Sequence, residues 1–171
     1  MINIDYTLEP GRTLEEKRAV EKHKPVIAII TPAWNPSDKI FQLANCVLNQ
    51  TYPYFEWIIV DDGSTDKKSL SRLKQVEEMD DRIQVLHKKN AGPAKARDYG
   101  VNHTSKEVQY IVLIDDDDLM DKTFLETSYY SMNVYPKASW CYADSINFGY
   151  EENTWNKFFS SKRMKHENIL V

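Results

Sequence analysis

Four consecutive carboxylates, Asp115, Asp116, Asp117 and Asp118, follow directly on the apolar run Tyr110-Ile111-Val112-Leu113-Ile114. Adjacent acids repel one another and need a cation, a proton or ample water between them. Hard oxygen ligands of this kind suit Mg²⁺ or Mn²⁺, above all where substrate phosphates complete the coordination. A second acid pair, Asp61 and Asp62, ends the run Phe55-Glu56-Trp57-Ile58-Ile59-Val60 and leads into Gly63-Ser64-Thr65-Asp66. Taken alone, an acid run more often marks a solvated loop or the first turn of a helix. Asp118 or Asp121 would then simply start a helix over residues 122–134. The company of the second pair weighs for a shared site.

The elements that must position these acids follow from pattern. The run into Asp115 is short, rich in β-branched residues and without helical period, which suits a strand buried on both faces. Strands are expected at residues 26–30, 55–60, 83–87, 108–114 and 138–143. Helices are expected between them. The first is capped by Ser37 or Asp38 and carries Ile40, Leu43, Ala44, Val47 and Leu48 at helical spacing up to Gln50. The second covers residues 67–78 with Leu70, Leu73 and Val76 inward, the third 94–102, the fourth 122–134. This alternation implies an α/β fold with a mainly parallel sheet and helices on both faces. The polar loops after the first four strands then share the sheet's carboxyl edge, where ligands bind in such folds. Pro32 and Pro36 bracket Thr31 to Pro36, end the first strand and make that segment a shaped loop. Trp34 lies within it and is as apt to face a ligand as the core. Trp57, Trp140, Tyr129 and Tyr130 are expected in the core.

Bulk properties narrow the classes. At 171 residues the chain is long enough for one domain with a substantial core. Its 22 Lys and Arg against 26 Asp and Glu form no basic stripe, which argues against nucleic acid as the main partner. Cys46 and Cys141 each sit in an expected apolar element, as reduced, buried residues would. No apolar run reaches the length of a membrane span and no signal-peptide pattern opens the chain. The expected compartment is the cytoplasm, with any attachment to the cytoplasmic face of a membrane left to regions outside this chain. Residues 1–24, with Pro10-Gly11 and a charged stretch, read as a leader or linker, and residues 25–171 as one domain.

Four motifs in a fixed order carry a family resemblance. Thr31-Pro32-Ala33-Trp34-Asn35 opens the series. Gln50 to Asp66, running Gln-Thr-Tyr-Pro-Tyr-Phe-Glu-Trp-Ile-Ile-Val-Asp-Asp-Gly-Ser-Thr-Asp, follows. Asn90-Ala91-Gly92-Pro93-Ala94-Lys95-Ala96-Arg97 and Leu113-Ile114-Asp115-Asp116-Asp117-Asp118 complete it. Together these resemble the opening loop, signature, glycine-arginine loop and DXD motif of family-two nucleotide-sugar glycosyltransferases of the GT-A fold. The resemblance implies an inverting transfer from a nucleotide sugar, a UDP-sugar first, to a hydroxyl of an acceptor sugar or glycoconjugate, with Mn²⁺ or Mg²⁺. Asp62, with Asp61 as the neighbouring choice, would accept from the N3–H of a uracil-like base. Thr31, Pro32, Ala33 and Asn35 would line the nucleotide pocket. Gly92, Lys95 and Arg97 would approach the base or diphosphate, Asp115 or Asp116 would hold the ribose, and Asp117 would bind the metal. Asp98 departs from the family's usual asparagine.

The resemblance also implies a carboxylate general base, and none is recognisable in the chain. Asp144, Glu151, Glu152, Glu167 and His166 stand in no motif, so the base and the acceptor-binding half are expected beyond Val171. Trp155, Phe158 and Phe159 would pack against that half. A non-catalytic nucleotide-sugar-binding domain is the alternative. A phosphoacceptor receiver domain fits less well, because its acid pair follows its first strand and here a strand and helix come before. A metal-dependent nucleotidyltransferase would need a glycine- and lysine-rich loop after the first strand, and residues 31–36 have neither feature.

Overall fold

A computed structural model describes residues 25–143. In chain order the elements are β1 (Ile27–Ala33), α1 (Lys39–Leu48), β2 (Phe55–Asp61), α2 (Lys67–Glu77), β3 (Ile83–His87), α3 (Pro93–Val101), β4 (Tyr110–Leu113) and α4 (Phe124–Val134). The four strands pair in parallel in the order β3-β2-β1-β4. The expected α/β architecture, with helices on both faces, is the one observed. Leads between strands and helices then converge on one edge.

Period-two alternation sorts the strand residues between two apolar layers. Ile27, Ile29, Trp57 and Ile59 face the larger layer with Ile40, Leu43 and Val47 of α1, Leu73 and Val76 of α2, and Leu125 of α4. Ala28, Ile30, Ile58 and Val60 face the other, where α3 lays Ala96 on them. Close approach of α3 depends on Gly100, since a Cβ there would stand 2.6 Å from Ile30 Cγ2. Asp66 caps α2, accepting from Ser69 N at 2.9 Å, which satisfies one of the helix's unpaired amides.

Several expectations are corrected. β1 runs on through Pro32 to Ala33, paired with β2 as far as Asp61. Ile30 O accepts from Ile114 N, so even-numbered residues of β1 turn their backbone toward β4. β4 ends at Leu113, opposite Ile30, and the missing N–H of Pro32 falls beyond that ladder and breaks nothing. β4 itself is not buried on both faces. Ile111 and Leu113 pair with Ala28 and Ile30, yet they are 40% and 56% exposed, because α3 packs over β1 and β2. No strand forms over residues 138–143, where Trp140 and Tyr142 are exposed: alternating apolar residues need a partner strand, and no described strand pairs there. Cys141 is consequently exposed and Cys46 half-buried, both as free thiols. Leu70 of α2 points outward, and Ser69 takes the buried position. Among the aromatic residues, Trp57 is fully buried, Tyr129 packs against the core, and Tyr130 is exposed. No helix among the described residues is long and apolar enough to cross a membrane. Residues 1–24 and the acids and aromatics after residue 143 lie outside the described residues.

Candidate functional site

At the carboxyl edge of the strands the loops enclose a cleft of about 570 Å³. Pro32, Ala33 and Trp34 line it from the end of β1, Asp62 from β2, Asn90, Gly92, Pro93 and Arg97 from the β3–α3 passage, and Asp115, Asp116 and Asp117 from β4. A second cleft of about 480 Å³ lies at the opposite strand edge. There Arg82 stacks on Phe55 and pairs with Asp80 at 2.8 Å.

Asp62 is the most tightly built group of the first cleft. Ala91 N donates to its Oδ1 at 3.0 Å and Gly92 N to its Oδ2 at 2.7 Å. The ammonium of Lys88 also bonds Oδ1 and donates to Lys89 O at 2.8 Å. Burial pushes the Asp62 pKa up, but the hydrogen bonds from Lys88, Ala91 and Gly92 outweigh it and hold the carboxyl below its usual range. Both amides are available because Gly92, at φ +90°, turns the chain into α3 with Pro93 as the first helical residue. Asp61 points away from the cleft. It accepts from Ser64 N at 2.9 Å and lies 2.8 Å from His87 Nδ1. Of the two neighbouring acids, Asp62 is therefore the one in the cleft.

The acidic loop is less balanced. Arg97 reaches from α3 to pair with Asp115, and Lys39, at the start of α1, lies 3.2 Å from Asp117. Asp116 forms no ion pair among the described residues, and its pKa rises to about 6 through desolvation and then repulsion from Asp117 and Asp115, which the nearby Lys39 offsets only in part. Asp118 is raised for the same reasons, but it does not line the cleft. Among the described residues no group of three or more His, Cys, Asp or Glu side chains is arranged to hold a metal by itself. The donor set still fits a hard cation held by one or two carboxylates plus ligand oxygens, which is how Mg²⁺ and Mn²⁺ commonly sit beside phosphates. The Lys39 ammonium beside Asp117 shows that a positive charge is accommodated there.

Besides Asp61, three expected site residues stand elsewhere. Thr31 is fully buried and accepts from the indole N–H of Trp57 at 3.0 Å. Asn35, at φ +50°, ties the two strand-end loops together: its N donates to Ser64 Oγ at 2.8 Å, and its Oδ1 accepts from Thr65 N at 2.9 Å and Asp66 N at 3.0 Å. Lys95 projects into solvent, 3.7 Å from Asp98. Conversely, Lys88 and Lys39 are ion-pair partners that sequence reasoning missed. Trp34 is 60% exposed and lines the cleft rather than packing in the core.

The sequence profile of glycosyl transferase family 2 matches residues 28–170. The chain belongs to that family. Among family relatives, an uncharacterized glycosyltransferase of Rickettsia felis is 34% identical over 143 residues, 75% of this chain and 22% of that protein. Glycosyltransferase GlyA of Streptococcus pneumoniae is 33% identical over 109 residues, 64% of this chain and 15% of that one. The chain thus spans about a fifth of these relatives' length. Among solved structures, S. aureus TarS 1-349 in complex with UDP-GlcNAc superposes with a TM-score of 0.58 at 24% identity, over 67% of this chain and 32% of that one. The mannosyltransferase PcManGT from Pyrobaculum calidifontis, in complex with GDP-Man and Mn²⁺, gives 0.57 at 22% identity, over 65% and 33%. Both share the fold. Membership in family 2 sets aside the receiver and nucleotidyltransferase alternatives.

Proposed function

We propose that this chain is the donor-binding part of a glycosyltransferase that takes a nucleotide sugar, a UDP-sugar first, together with Mn²⁺ or Mg²⁺. The sugar passes with inversion to a hydroxyl of an acceptor sugar or glycoconjugate. The observation that carries this reading is the meeting of Trp34, Asp62, Arg97 and Asp115 to Asp117 in one cleft. An exposed aromatic face, a fixed carboxylate acceptor, a guanidinium and a carboxylate group under-supplied with cations are the parts that a nucleoside diphosphate requires.

Each part has a physical role on this reading. Asp62, ionised and fixed by backbone amides, accepts the ring N–H of the base. Trp34 offers a stacking face to that base. Arg97 and the amides at the head of α3 favour the anionic diphosphate. Asp115 or Asp116 holds the ribose, and Asp117 with Asp116 beside it is the place for the divalent ion. When bound, such an ion stabilises the negative charge that grows on the departing diphosphate. The bond from the anomeric carbon to the diphosphate oxygen breaks as the acceptor oxygen attacks the opposite face. The acceptor's proton goes to a general base, expected outside the described residues. The TarS and PcManGT complexes support a nucleotide-sugar ligand by analogy of fold.

The test is calorimetric titration of UDP into the 171-residue chain with Mn²⁺, then with EDTA, with GDP and ADP alongside. Metal-dependent binding that favours UDP is the expected outcome. A preference for GDP under the same metal dependence would correct the base and keep the site. Absence of binding to all three by a folded chain would remove the reading for this chain.

A further inference from the structure

The acid-bearing loop, residues 114–123, is held at both ends by groups outside it. At the sheet end, Ile114 N donates to Ile30 O at 3.2 Å. At the other end the partners are Gln50 and Thr51, just past α1. Gln50 Nε2 donates to Asp121 O at 2.7 Å and to Cys46 O at 3.3 Å, and its Oε1 accepts from Leu125 N at 3.0 Å. Thr51 N donates to Lys122 O at 2.9 Å, and its hydroxyl donates to Glu126 Oε2 at 2.7 Å. Gln50 is 1% exposed and Glu126 3% exposed.

These bonds do what the loop cannot do for itself. Thr123, the residue before α4, makes no side-chain cap bond to that helix. Asp121 turns its carboxylate onto Thr123 N and Oγ1 instead. An unpaired first-turn amide of α4 is therefore capped by Gln50 from a different element, while the other end of the same side chain grips the loop carbonyl. A space-filling role would be met by an apolar residue of similar size. A buried glutamine using both ends of its amide on two elements is instead a strut, since each bond left unmade there would strand a buried polar group.

We propose that Gln50 and Thr51 are positioning residues that fix the exit of the acidic loop. They thereby hold Asp115, Asp116 and Asp117 in line with Arg97 and Asp62 across the cleft. The inference rests on reading that cleft as a nucleotide and metal site. Asp121 is only four residues beyond Asp117, so a shift at the exit is passed on with little slack. Groups that orient ligating carboxylates from behind change metal affinity by about 10- to 100-fold when removed.

Two nearly isosteric variants test this on the 171-residue chain. Gln50→Glu keeps the acceptor for Leu125 N but turns an oxygen toward Asp121 O. Thr51→Val removes the hydroxyl that Glu126 accepts from, and Thr51→Ser restores it. The Mn²⁺ concentration giving half-maximal UDP binding should rise about tenfold in Gln50→Glu and in Thr51→Val, and return toward wild type in Thr51→Ser. Hydrogen exchange should quicken over residues 115–123 and stay unchanged over residues 88–97. Folded Gln50→Glu with an unchanged Mn²⁺ requirement and unchanged exchange overturns the proposal, as does exchange that quickens equally in both segments. A wild-type chain that binds neither UDP nor GDP removes the donor-site reading, and with it the purpose assigned to the strut. The exchange comparison then shows separately whether Gln50 holds the loop.

Discussion

Gly63→Ala strikes the point where the fold and the cleft depend on the same few atoms. Gly63 follows Asp62 and has φ +77°; an added Cβ would lie 2.8 Å from the backbone N of Asn90 and 3.3 Å from Lys88 O. Two penalties add. A left-handed conformation costs a non-glycine residue about 1–2 kcal/mol. Forcing a packed neighbour aside costs about 1–3 kcal/mol more, and here the neighbour is main chain, which cannot swing away as a side chain would. The expected loss is thus about 2–5 kcal/mol, read from urea denaturation, with a fall in Tm of about 2–4 °C per kcal/mol in a chain of this size. The displaced Asn90 directly precedes Ala91 and Gly92, whose amides bond Asp62, so the folded fraction should also bind nucleotide more weakly. Gly92→Ala is the control. Its φ is +90° with nothing within 4 Å of an added Cβ, leaving only a backbone penalty of about 1–3 kcal/mol. If Gly63→Ala costs less than about 2 kcal/mol, no more than the left-handed backbone penalty alone, the steric reasoning about Asn90 is wrong.

Three further outcomes are expected. Asp117→Asn should weaken Mn²⁺-dependent UDP binding by more than the roughly tenfold typical of an outer-shell partner, while Asp118→Asn, outside the cleft lining, should change it little; equal effects in titration would defeat the assignment within the acid run. Trp34→Ala should lower UDP affinity by about 1–3 kcal/mol, the range for loss of one base-stacking ring, yet leave stability within about 0.5 kcal/mol because the side chain is exposed; an equal loss of stability would mean Trp34 is a packing residue. Lys88→Met acts through Asp62, whose lowered folded pKa gives stability that is present above the unfolded carboxylate value of about 4 and lost as pH falls through the folded one. Removing Lys88 raises that folded pKa, so urea midpoints measured from neutral pH down should show lower stability at neutral pH and a shallower acid slope; an unchanged slope would show that the two amides alone keep Asp62 ionised.

How far the structure could be read from the chain depends on how local each cause is. β2, β3 and the helices follow from apolar periodicity and from punctuation such as Gly92-Pro93 and Asp66, all of which act within a few residues. The extension of β1 through Pro32 was not legible, since whether a missing N–H matters depends on where β4 stops. Residues 138–143 carry a strand's alternation, but a strand exists only when another strand pairs with it. The cleft was legible down to its loops, and part of what was missed had a signal. Alternation places Asp62 with Ile58 and Val60, on the face that α3 covers, and Asp61 with Trp57 and Ile59 on the opposite one. The same parity puts Thr31 against Trp57 and Pro32 on the cleft side. Lys88 and Lys39 had no such signal, because their carboxylate partners lie 26 and 78 residues away in the chain.

On the proposed reading, the distribution of charge in the cleft suits its two ends to different tasks. At the α3 end, Asp62 is met by an ammonium and two main-chain amides, and Asp115 by a guanidinium. Those carboxylates are fixed before any ligand arrives, which suits recognition of a neutral base and its ribose by geometry rather than by charge. At the β4 end, Asp116 is raised to about pKa 6 with two acids beside it, and among the described residues Asp117 pairs only with an exposed lysine. An exposed pair of that kind is worth little, so Lys39 can yield its place to a stronger cation without much loss. On the proposed reading, that unbalanced negative charge would repel a diphosphate, itself an anion, unless a divalent ion came with it. Metal-dependent nucleotide binding is therefore the expected outcome, and neutralising the imbalance by Asp116→Asn with Asp117→Asn should make the residual UDP binding insensitive to EDTA.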